Sequence, residues 1–334
     1  MTENDPPRDR LSGTCDLELL IDLGEVPIGG IYWPRGSGKV RRAPLRLAVG
    51  RSSGLVQVMD RYDPSLYADY TFSGTSSRTY ERHIADVAEW FCAEGNPSAL
   101  FEIGASDGVL LAIMRDRGCV VDGIEPSSAL VEAAMTARGV SIRQGYMSKQ
   151  YAAEVLSVSE RYSAVVMRHV LEHLDAPHDM FEAIDVLVAQ NGRLLLELPS
   201  LEEMMKQDLY SNVFHEHVAY YSQSVLWDLL AKHGWGVVRY RRVDIHGGSH
   251  LLECRRGAHA VAAPAPDPDA LARFVAGFQR YCERVRTLVS GEVAAGRRIA
   301  IWGASHRTAL LMALSGLDSA PVSAVYDRNR MLHG

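Results

Sequence analysis

From residue 84 onward the apolar positions alternate between two rhythms. Ile84, Val87, Ala88 and Phe91 recur at helical spacing and predict an amphipathic helix leading into a strand. Ala99-Leu100-Phe101-Glu102-Ile103 has the length of a buried strand, and Leu110, Ile113 and Met114 behind it share a helix face. The pattern then repeats. Cys119 to Ile124 reads as a strand, Leu130 to Ala137 as a helix closed by Gly139, Val140 to Ile142 as a short third strand and Tyr162 to Met167 as a fourth. Phe181, Ile184, Leu187 and Val188 fall on one face of the next helix, and Leu194 to Leu198 is a fifth strand. Strand and helix alternating through short loops mean βαβ crossovers and a parallel sheet covered on both faces. A polar His- and Tyr-rich stretch (Asn212 to Ser222) follows, then a helix (Val225 to His233). Two strand-like runs, Gly236 to Val243 and Leu251 to Cys254, flank the turn His246-Gly247-Gly248-Ser249. The whole predicts an α/β fold with a Rossmann-like, seven-stranded sheet.

The flanking regions differ in texture. The first 75 or so residues are rich in Gly, Pro and Arg, with short apolar stretches such as Leu19-Leu20-Ile21 and Leu55-Val56-Gln57-Val58, and read as a small β-rich module. Ala258 to Pro268 has the Pro/Ala composition of a linker. A helix through Phe274, Phe278, Val285 and Leu288 follows. Arg298 to Ala304 then resembles a first strand with its tight turn, and Ala320 to Tyr326 a second. Two strands do not close an α/β layer, so this last part reads as a partial, truncated Rossmann-like unit. The expected division is 1–77, 78–257 and 258–334.

Composition narrows the class. A chain of 334 residues has room for two or three domains, and 47% hydrophobic with 23% charged residues excludes a disordered or collagen-like chain. With 35 Lys+Arg against 41 Asp+Glu, the net charge of −6 argues against a basic nucleic-acid footprint. No apolar run nears the roughly 18 residues of a membrane span. The opening MTENDPPRDR has no apolar signal core. Five cysteines are scattered without a CxxC pair, which leaves neither a disulfide framework nor a cysteine zinc site to read. The expectation is a reduced, cytoplasmic protein that works on a small molecule, without nucleic acid, membrane or metal.

Three strings carry candidate chemistry. Glu102-Ile103-Gly104-Ala105-Ser106-Asp107-Gly108 stands where the first strand turns into a helix, and its glycines let a ligand approach the helix N-terminus. The turn lacks the third glycine of the dinucleotide fingerprint. With Glu125-Pro126 at the end of the second strand it fits S-adenosylmethionine (SAM) better, Glu125 accepting from both ribose hydroxyls. A packing turn with a solvated Glu-Pro is the competing reading. Glu102, Gly104, Ala105, Ser106, Gly108, Glu125, Pro126 and Arg168 are therefore the cofactor candidates. The second string, Arg168 to His173, follows the fourth strand at the carboxyl edge of the sheet. His169 and His173 lack a third metal ligand at motif spacing, so a cleft-lining loop is favoured over a metal site. The third, Phe214-His215-Glu216-His217, sets two histidines around a carboxylate, as a tuned base requires. A polar loop with satisfied histidines explains it equally well. The turn at His246 to Ser249 is either an ordinary hairpin or a close approach to a ligand.

In their order along the chain these strings resemble the SAM-dependent sugar 3-C-methyltransferases acting on dTDP-linked 4-keto deoxysugars of antibiotic biosynthesis. Leu23-Gly24-Glu25-Val26-Pro27, Gly54-Leu55-Val56-Gln57, Ser73-Gly74-Thr75-Ser76, Glu197-Leu198-Pro199 and Gly303-Ala304 extend the resemblance over nearly the whole chain. It implies a class I SAM methyltransferase domain between an N-terminal zinc module and a C-terminal Rossmann-like domain that helps hold a nucleotide sugar. It also implies deprotonation at carbon 3 and attack of the enolate on the methyl group. His217 matches the favoured base, Glu216 and His169 match residues near the sugar, and Tyr70 matches an N-terminal tyrosine of the site. Three positions depart from the pattern. Gly50 and Ser53 stand where zinc cysteines are expected, leaving Cys15 alone; Phe214 replaces an active-site tyrosine; and the last domain is short. O- or N-methylation on the same scaffold, and a non-catalytic binding partner, are the alternatives.

Overall fold

A computed structural model describes residues 6–28, 41–60, 78–157, 160–263, 265, 267–317 and 322–327. The elements run β1 (Leu17–Pro27), β2 (Arg42–Gly50), β3 (Val56–Val58), α1 (Arg78–Cys92), β4 (Ala99–Ile103), α2 (Val109–Asp116), β5 (Val120–Glu125) and α3 (Ser128–Arg138). Next come β6 (Arg143–Gln144), α4 (Lys149–Leu156), β7 (Tyr162–Arg168), α5 (Pro177–Leu187) and β8 (Val188–Pro199). Then follow α6 (Leu201–Lys206), β9 (Ala219–Tyr220), α7 (Gln223–Lys232), β10 (Trp235–Val243) and β11 (Ser249–Arg256). The last are α8 (Ala270–Ala294), β12 (Ile299–Trp302), α9 (His306–Leu314) and β13 (Val322–Tyr326). Two compact units emerge. One takes Met1–Tyr67, Leu201–Tyr220 and Pro266–Gly334; the other takes Ala68–Ser200 and Tyr221–Ala265.

The second unit is built on a seven-stranded sheet in the order β10-β11-β8-β7-β4-β5-β6. β4, β5, β6, β7 and β8 are parallel, and β11 enters antiparallel between β8 and β10. Leu194, Leu195, Leu196 and Leu198 are all buried on β8, the near-continuous apolar run that a sheet covered on both faces demands. The helical face predicted from Ile84, Val87, Ala88 and Phe91 is the buried face of α1. From β4 the chain departs toward β5, and from β7 toward β8, in opposite directions along the sheet. The carboxyl ends of these two neighbours therefore frame a crevice at the point where the strand order reverses.

One strand falls elsewhere than its apolar pattern suggests. Val140 to Ile142 is irregular, and pairing with β5 begins only at Arg143. The reason is the end of α3, where Gly139 takes a left-handed φ of 64° and the Val140 N–H reaches back to the Ala134 carbonyl at 3.2 Å. That cap occupies the backbone of Val140, while the side chains of Val140 and Ile142 pack beneath Gly108.

The first unit holds an antiparallel sheet ordered β1-β2-β3-β9. Its core joins Leu45, Leu47 and Val58 of that sheet to Phe274, Phe278 and Cys282 of α8 and Leu310 of α9. The N-terminal module and the C-terminal segment thus share one core, which explains why neither shows a complete apolar face in sequence. β12 and β13 form a separate two-stranded parallel pair. At the Gly50–Ser53 turn, Asp9 does the fastening. Its Oδ1 accepts from the Leu11 N–H at 2.8 Å and its Oδ2 fills the space a side chain at Gly50 would need. Ser53 Oγ accepts from the Leu55 N–H at 3.0 Å.

Candidate active site

The turn after β4 is built from three left-handed residues at alternate positions, Gly104, Ser106 and Gly108, with φ of 72°, 51° and 75°. This conformation folds the chain back tightly ahead of α2, with the N–H groups of Gly104, Ala105, Ser106 and Gly108 engaged inside the protein. Gly104 is required twice over, by its φ and because a Cβ there would lie 2.4 Å from Val170 Cγ2. Gly104 and Ala105 both donate to the Ile124 carbonyl, at 2.9 and 3.0 Å, which anchors the turn to the end of β5. There Glu125 accepts from the Ser106 N–H through Oε2 and from the Ser127 N–H through Oε1, each at 3.0 Å. Burial raises the Glu125 carboxyl above its ordinary value while the two N–H groups counter that shift. Each of its oxygens keeps a lone pair for a ligand hydroxyl. Glu102 is buried with Oε2 unpartnered, and desolvation pushes its carboxyl up to about 8 against the opposing charge of Arg168. Pro126 continues the chain from Glu125 and offers its carbonyl to Gln144 at 3.4 Å. An orphaned buried carboxyl oxygen beside a tight turn and a pinned acceptor pair fits the adenosine and amino-acid groups of SAM.

A charged cluster stands next to this turn at the carboxyl end of β7. Arg168 and Glu197 are register partners across β7 and β8, and the Arg168 Nε donates to Glu197 Oε2 at 2.7 Å. His83 of α1 bonds Glu197 Oε1, and His169 Nε2 lies 3.5 Å from that same oxygen. His169 Nδ1 is 3.4 Å from Glu172 Oε1. The backbone fixes this arrangement, because His169 takes a left-handed φ of 52° and its N–H donates to the Glu197 carbonyl at 2.7 Å. Desolvation opposes charge on Arg168, His169 and Glu197, yet the ion pairs prevail. Glu197 is held well below the carboxylate range by Arg168 and His169, and His169 well above the imidazole range by Glu197 and Glu172. The result is a partly exposed imidazolium whose neighbour, Val170, touches the cofactor turn. The His246 ring meets His169 edge-on at 4.8 Å, and Tyr80 lies within 5.6 Å of His246.

Glu216 and His217 belong to the other unit, in the segment before β9. Tyr220 staples this loop by donating to the Asn212 carbonyl at 3.1 Å and accepting from the Phe214 N–H at 3.2 Å. Phe214, at the position where the family resemblance expects a tyrosine, packs against both His217 and His306 with tilted rings at 4.0 and 4.1 Å. Burial alone raises Glu216 to about 7, and burial lowers His215.

The sequence-derived cofactor residues Glu102, Gly104, Ala105, Ser106, Gly108, Glu125, Pro126 and Arg168 thus gather at one sheet edge together with His169. Tyr70 lies outside the described residues, as does Ser73 to Ser76. Tyr80, His83, Glu172 and Glu197 were not singled out in sequence as parts of this site. For Glu197 a signal exists, a charge inside the apolar run Leu194 to Leu198. For His83 there is none, since one histidine beside a helix's buried face is ordinary.

Residues 75–240 match the family model described as a methyltransferase domain. The C-methyltransferase NovU of Streptomyces niveus is 25% identical over 346 aligned residues, which take in 97% of this chain and 82% of that protein. Among solved structures, magnesium protoporphyrin IX methyltransferase of Synechocystis PCC 6803 with bound SAM is similar. It is 17% identical, covers 58% of this chain and 88% of its own, and has a TM-score of 0.42. The PH0226 protein of Pyrococcus horikoshii OT3 is 13% identical over 58% of this chain and 99% of its own, with a TM-score of 0.44. With the strand order, the turn after β4 and the Glu125 acceptor all in place, this chain is a SAM-dependent methyltransferase of the class I fold.

Proposed function

We propose that this enzyme methylates a carbon atom next to a ketone on a small deoxysugar-like acceptor, the sugar carried on a nucleotide, in secondary metabolism. The observation that carries this reading is the His169 imidazolium, held between Glu172 and Glu197 beside the cofactor turn. Methylation of a hydroxyl calls mainly for alignment and a proton acceptor. Methylation of carbon calls in addition for a donor to the oxygen that gains charge when the C–H proton leaves. His169, held charged by Glu197 and Glu172, carries a proton for that donation. The similarity to a C-methyltransferase over nearly the whole chain supports the same chemistry.

Bound SAM supplies an electrophilic methyl group on a sulfonium. The chain's own residues do the rest. Glu125 and Glu102 hold the cofactor's polar ends, with Gly104, Ala105, Ser106 and Gly108 shaping the turn. His217 takes the carbon-bound proton and Glu216 orients its ring. A Glu216 carboxyl raised to about 7 ionises within the working range, so activity rises with pH through about 7 in the native enzyme. In Glu216→Gln that limb disappears. The deciding experiment incubates 4-keto deoxysugar nucleotides with the enzyme in deuterated water. Deuterium enters at carbon 3 with the native chain and not with His217→Ala. Methyl transfer to a hydroxyl or amine without carbon exchange would replace this reading with O- or N-methylation.

A further inference from the structure

We propose that His246 is a positioning residue of this reaction: its ring sets the direction in which His169 presents its proton, and Tyr80 backs it. This rests on the proposed role of His169 as a proton-bearing donor, while the geometry around His246 is independent of the acceptor. The need for such a residue lies in the ion pairs themselves. Glu172 Oε1 is 3.4 Å from His169 Nδ1 and Glu197 Oε1 is 3.5 Å from Nε2, at the far limit of an N–H···O bond. Glu197 is further committed, through Oε2 to Arg168 at 2.7 Å and through Oε1 to His83 Nε2. Carboxylates at these separations keep the imidazolium charged but tolerate rotation about its side-chain bonds. A donor works only when its N–H points at the oxygen that gains charge.

His246 supplies the missing restraint. Its ring stands at 88° to that of His169, with centroids 4.8 Å apart. In an edge-to-face pair at that distance, rotating either ring drives its atoms into the other, so the contact fixes a tilt that two long ion pairs leave open. Tyr80 of α1 stands beside His246 in turn, at 5.6 Å and 48°. The Tyr80 hydroxyl accepts from Arg168 Nη2 at 3.5 Å, and the guanidinium carbon is 5.8 Å from the ring centre. The arginine that fixes Glu197 therefore also backs the brace on His169.

The backbone of His246 is strained and firmly held. Among the described residues, four other than glycine take a positive φ: Ser106, His169, Asp208 and His246, the last at 54°. Ser106 lies in the cofactor turn, and His169 and His246 meet through their rings. Asn or Gly adopts this conformation at less cost than His. A tight turn from β10 to β11 thus accounts for Gly247 and Gly248, with φ of 94° and 113°, but not for an imidazole before them. Strain of this kind persists where the surroundings over-determine it. Here the Gly248 N–H donates to the Ile245 carbonyl at 2.8 Å, and the Oγ of the fully buried Ser249 donates to the same carbonyl at 3.1 Å. The Ser200 N–H donates to the Gly248 carbonyl at 3.0 Å, which ties the turn to the end of β8, the strand that carries Glu197.

The test uses the full chain with 13C-labelled histidine rings and two substitutions. His246→Asn suits a left-handed backbone and removes the ring; His246→Phe keeps a ring and removes the nitrogens. In the native chain, NMR should show a through-space contact between the ring protons of His169 and His246 and one sharp His169 ring signal. In His246→Asn that signal should broaden or split, while His169 titrates as in the native chain and the melting temperature does not fall. In His246→Phe it should be sharp again. With a 4-keto deoxysugar nucleotide in deuterated water, exchange at carbon 3 should slow about tenfold to a hundredfold in His246→Asn and recover in His246→Phe, with SAM affinity unchanged in both. A His169 signal unaltered in His246→Asn overturns the proposal, and so does a Phe variant as defective as the Asn variant. Should either variant fail to fold, the native chain decides, since absence of the ring-to-ring contact overturns the brace. The ring signals need no acceptor. A lack of carbon exchange with the native enzyme, alongside the expected ring signals, would count against the C-methylation reading alone.

Discussion

The two units place the same residue types, histidine and glutamate, in buried settings and drive them to opposite charge states. At the carboxyl edge of the seven-stranded sheet, His169 is held protonated and Glu197 ionised, because each charge faces a partner and Arg168 adds a fixed cation. In the loop before β9, burial lowers His215 and raises Glu216 to about 7, so both lean toward neutrality. Burial is common to the two places and cannot explain the difference. At the sheet edge the ion pairs outweigh desolvation, and in the loop desolvation outweighs whatever opposes it. A cluster that stores a proton is suited to donate one, and a cluster that sheds charge is suited to accept one.

Removing the counter-charge from the first cluster gives the largest expected effect. Glu197→Gln leaves Arg168 buried without its anion, and denaturant unfolding should show a loss of about 3–5 kcal/mol. The His169 titration, followed by NMR, should fall toward the ordinary imidazole range in the same variant. The pH dependence has a definite sign. The depressed Glu197 contributes stability above the ordinary carboxylate range that is lost as pH falls through its folded value. The raised His169 contributes stability at low pH that is lost as pH rises through its folded value. If Glu197→Gln left His169 titrating as before, the contrast between the two units would not rest on counter-charge.

Next in size is the cofactor side. Glu125→Ala removes both acceptor oxygens that Ser106 and Ser127 hold in place, and hydrogen bonds to a charged group contribute about 1.5–3 kcal/mol each. SAM affinity by calorimetry should fall about tenfold to a hundredfold with the fold retained. Glu102 offers a subtler probe. Its carboxyl, raised to about 8, keeps a proton in the folded chain that the unfolded chain gives up from the ordinary carboxylate range onward. Native stability should therefore decline as pH rises through that window, and Glu102→Gln should flatten the decline while weakening SAM binding. A variant with unaltered SAM affinity would remove Glu102 from the cofactor site.

How much of this was legible in the chain depends on the range of the forces involved. The order of β4, α2, β5 and α3 follows from apolar periodicity, and the turn from Glu102 to Gly108 with Glu125 is encoded by neighbours in sequence. Val140 to Ile142 misled because apolar side chains do not reveal that a helix cap already occupies their backbone. The cluster around Glu197 was illegible for another reason. His83, Arg168 and Glu197 are separated by 114 and 29 positions along the chain, and only the register of β7 with β8 and the seating of α1 unite them. The loop carrying Glu216 and His217 was read as part of the central domain because it follows β8. Its packing partners are instead β1, β2 and α8 of the other unit, through Tyr210, Val213 and Phe214.

The smallest expected effect tests the second cluster on its own terms. His215 is buried, and burial lowers it below the ordinary imidazole value, with the carbonyls of Ala43 and Pro44 and the charge of Asp60 acting the other way. As pH falls, the unfolded chain takes up a proton that this site resists, so His215 makes the chain less stable below roughly pH 6.5, opposite in sign to His169. Acid unfolding should therefore begin in the unit that holds β1, β2 and β3, visible as early loss of amide protection there in hydrogen exchange. His215→Gln should lessen that acid sensitivity by about 1 kcal/mol at pH 5 and leave the β7–β8 edge unchanged. Should protection at that edge change as much as in the antiparallel sheet, the two clusters are coupled, and the charge stored around Glu197 is not a property of its own unit.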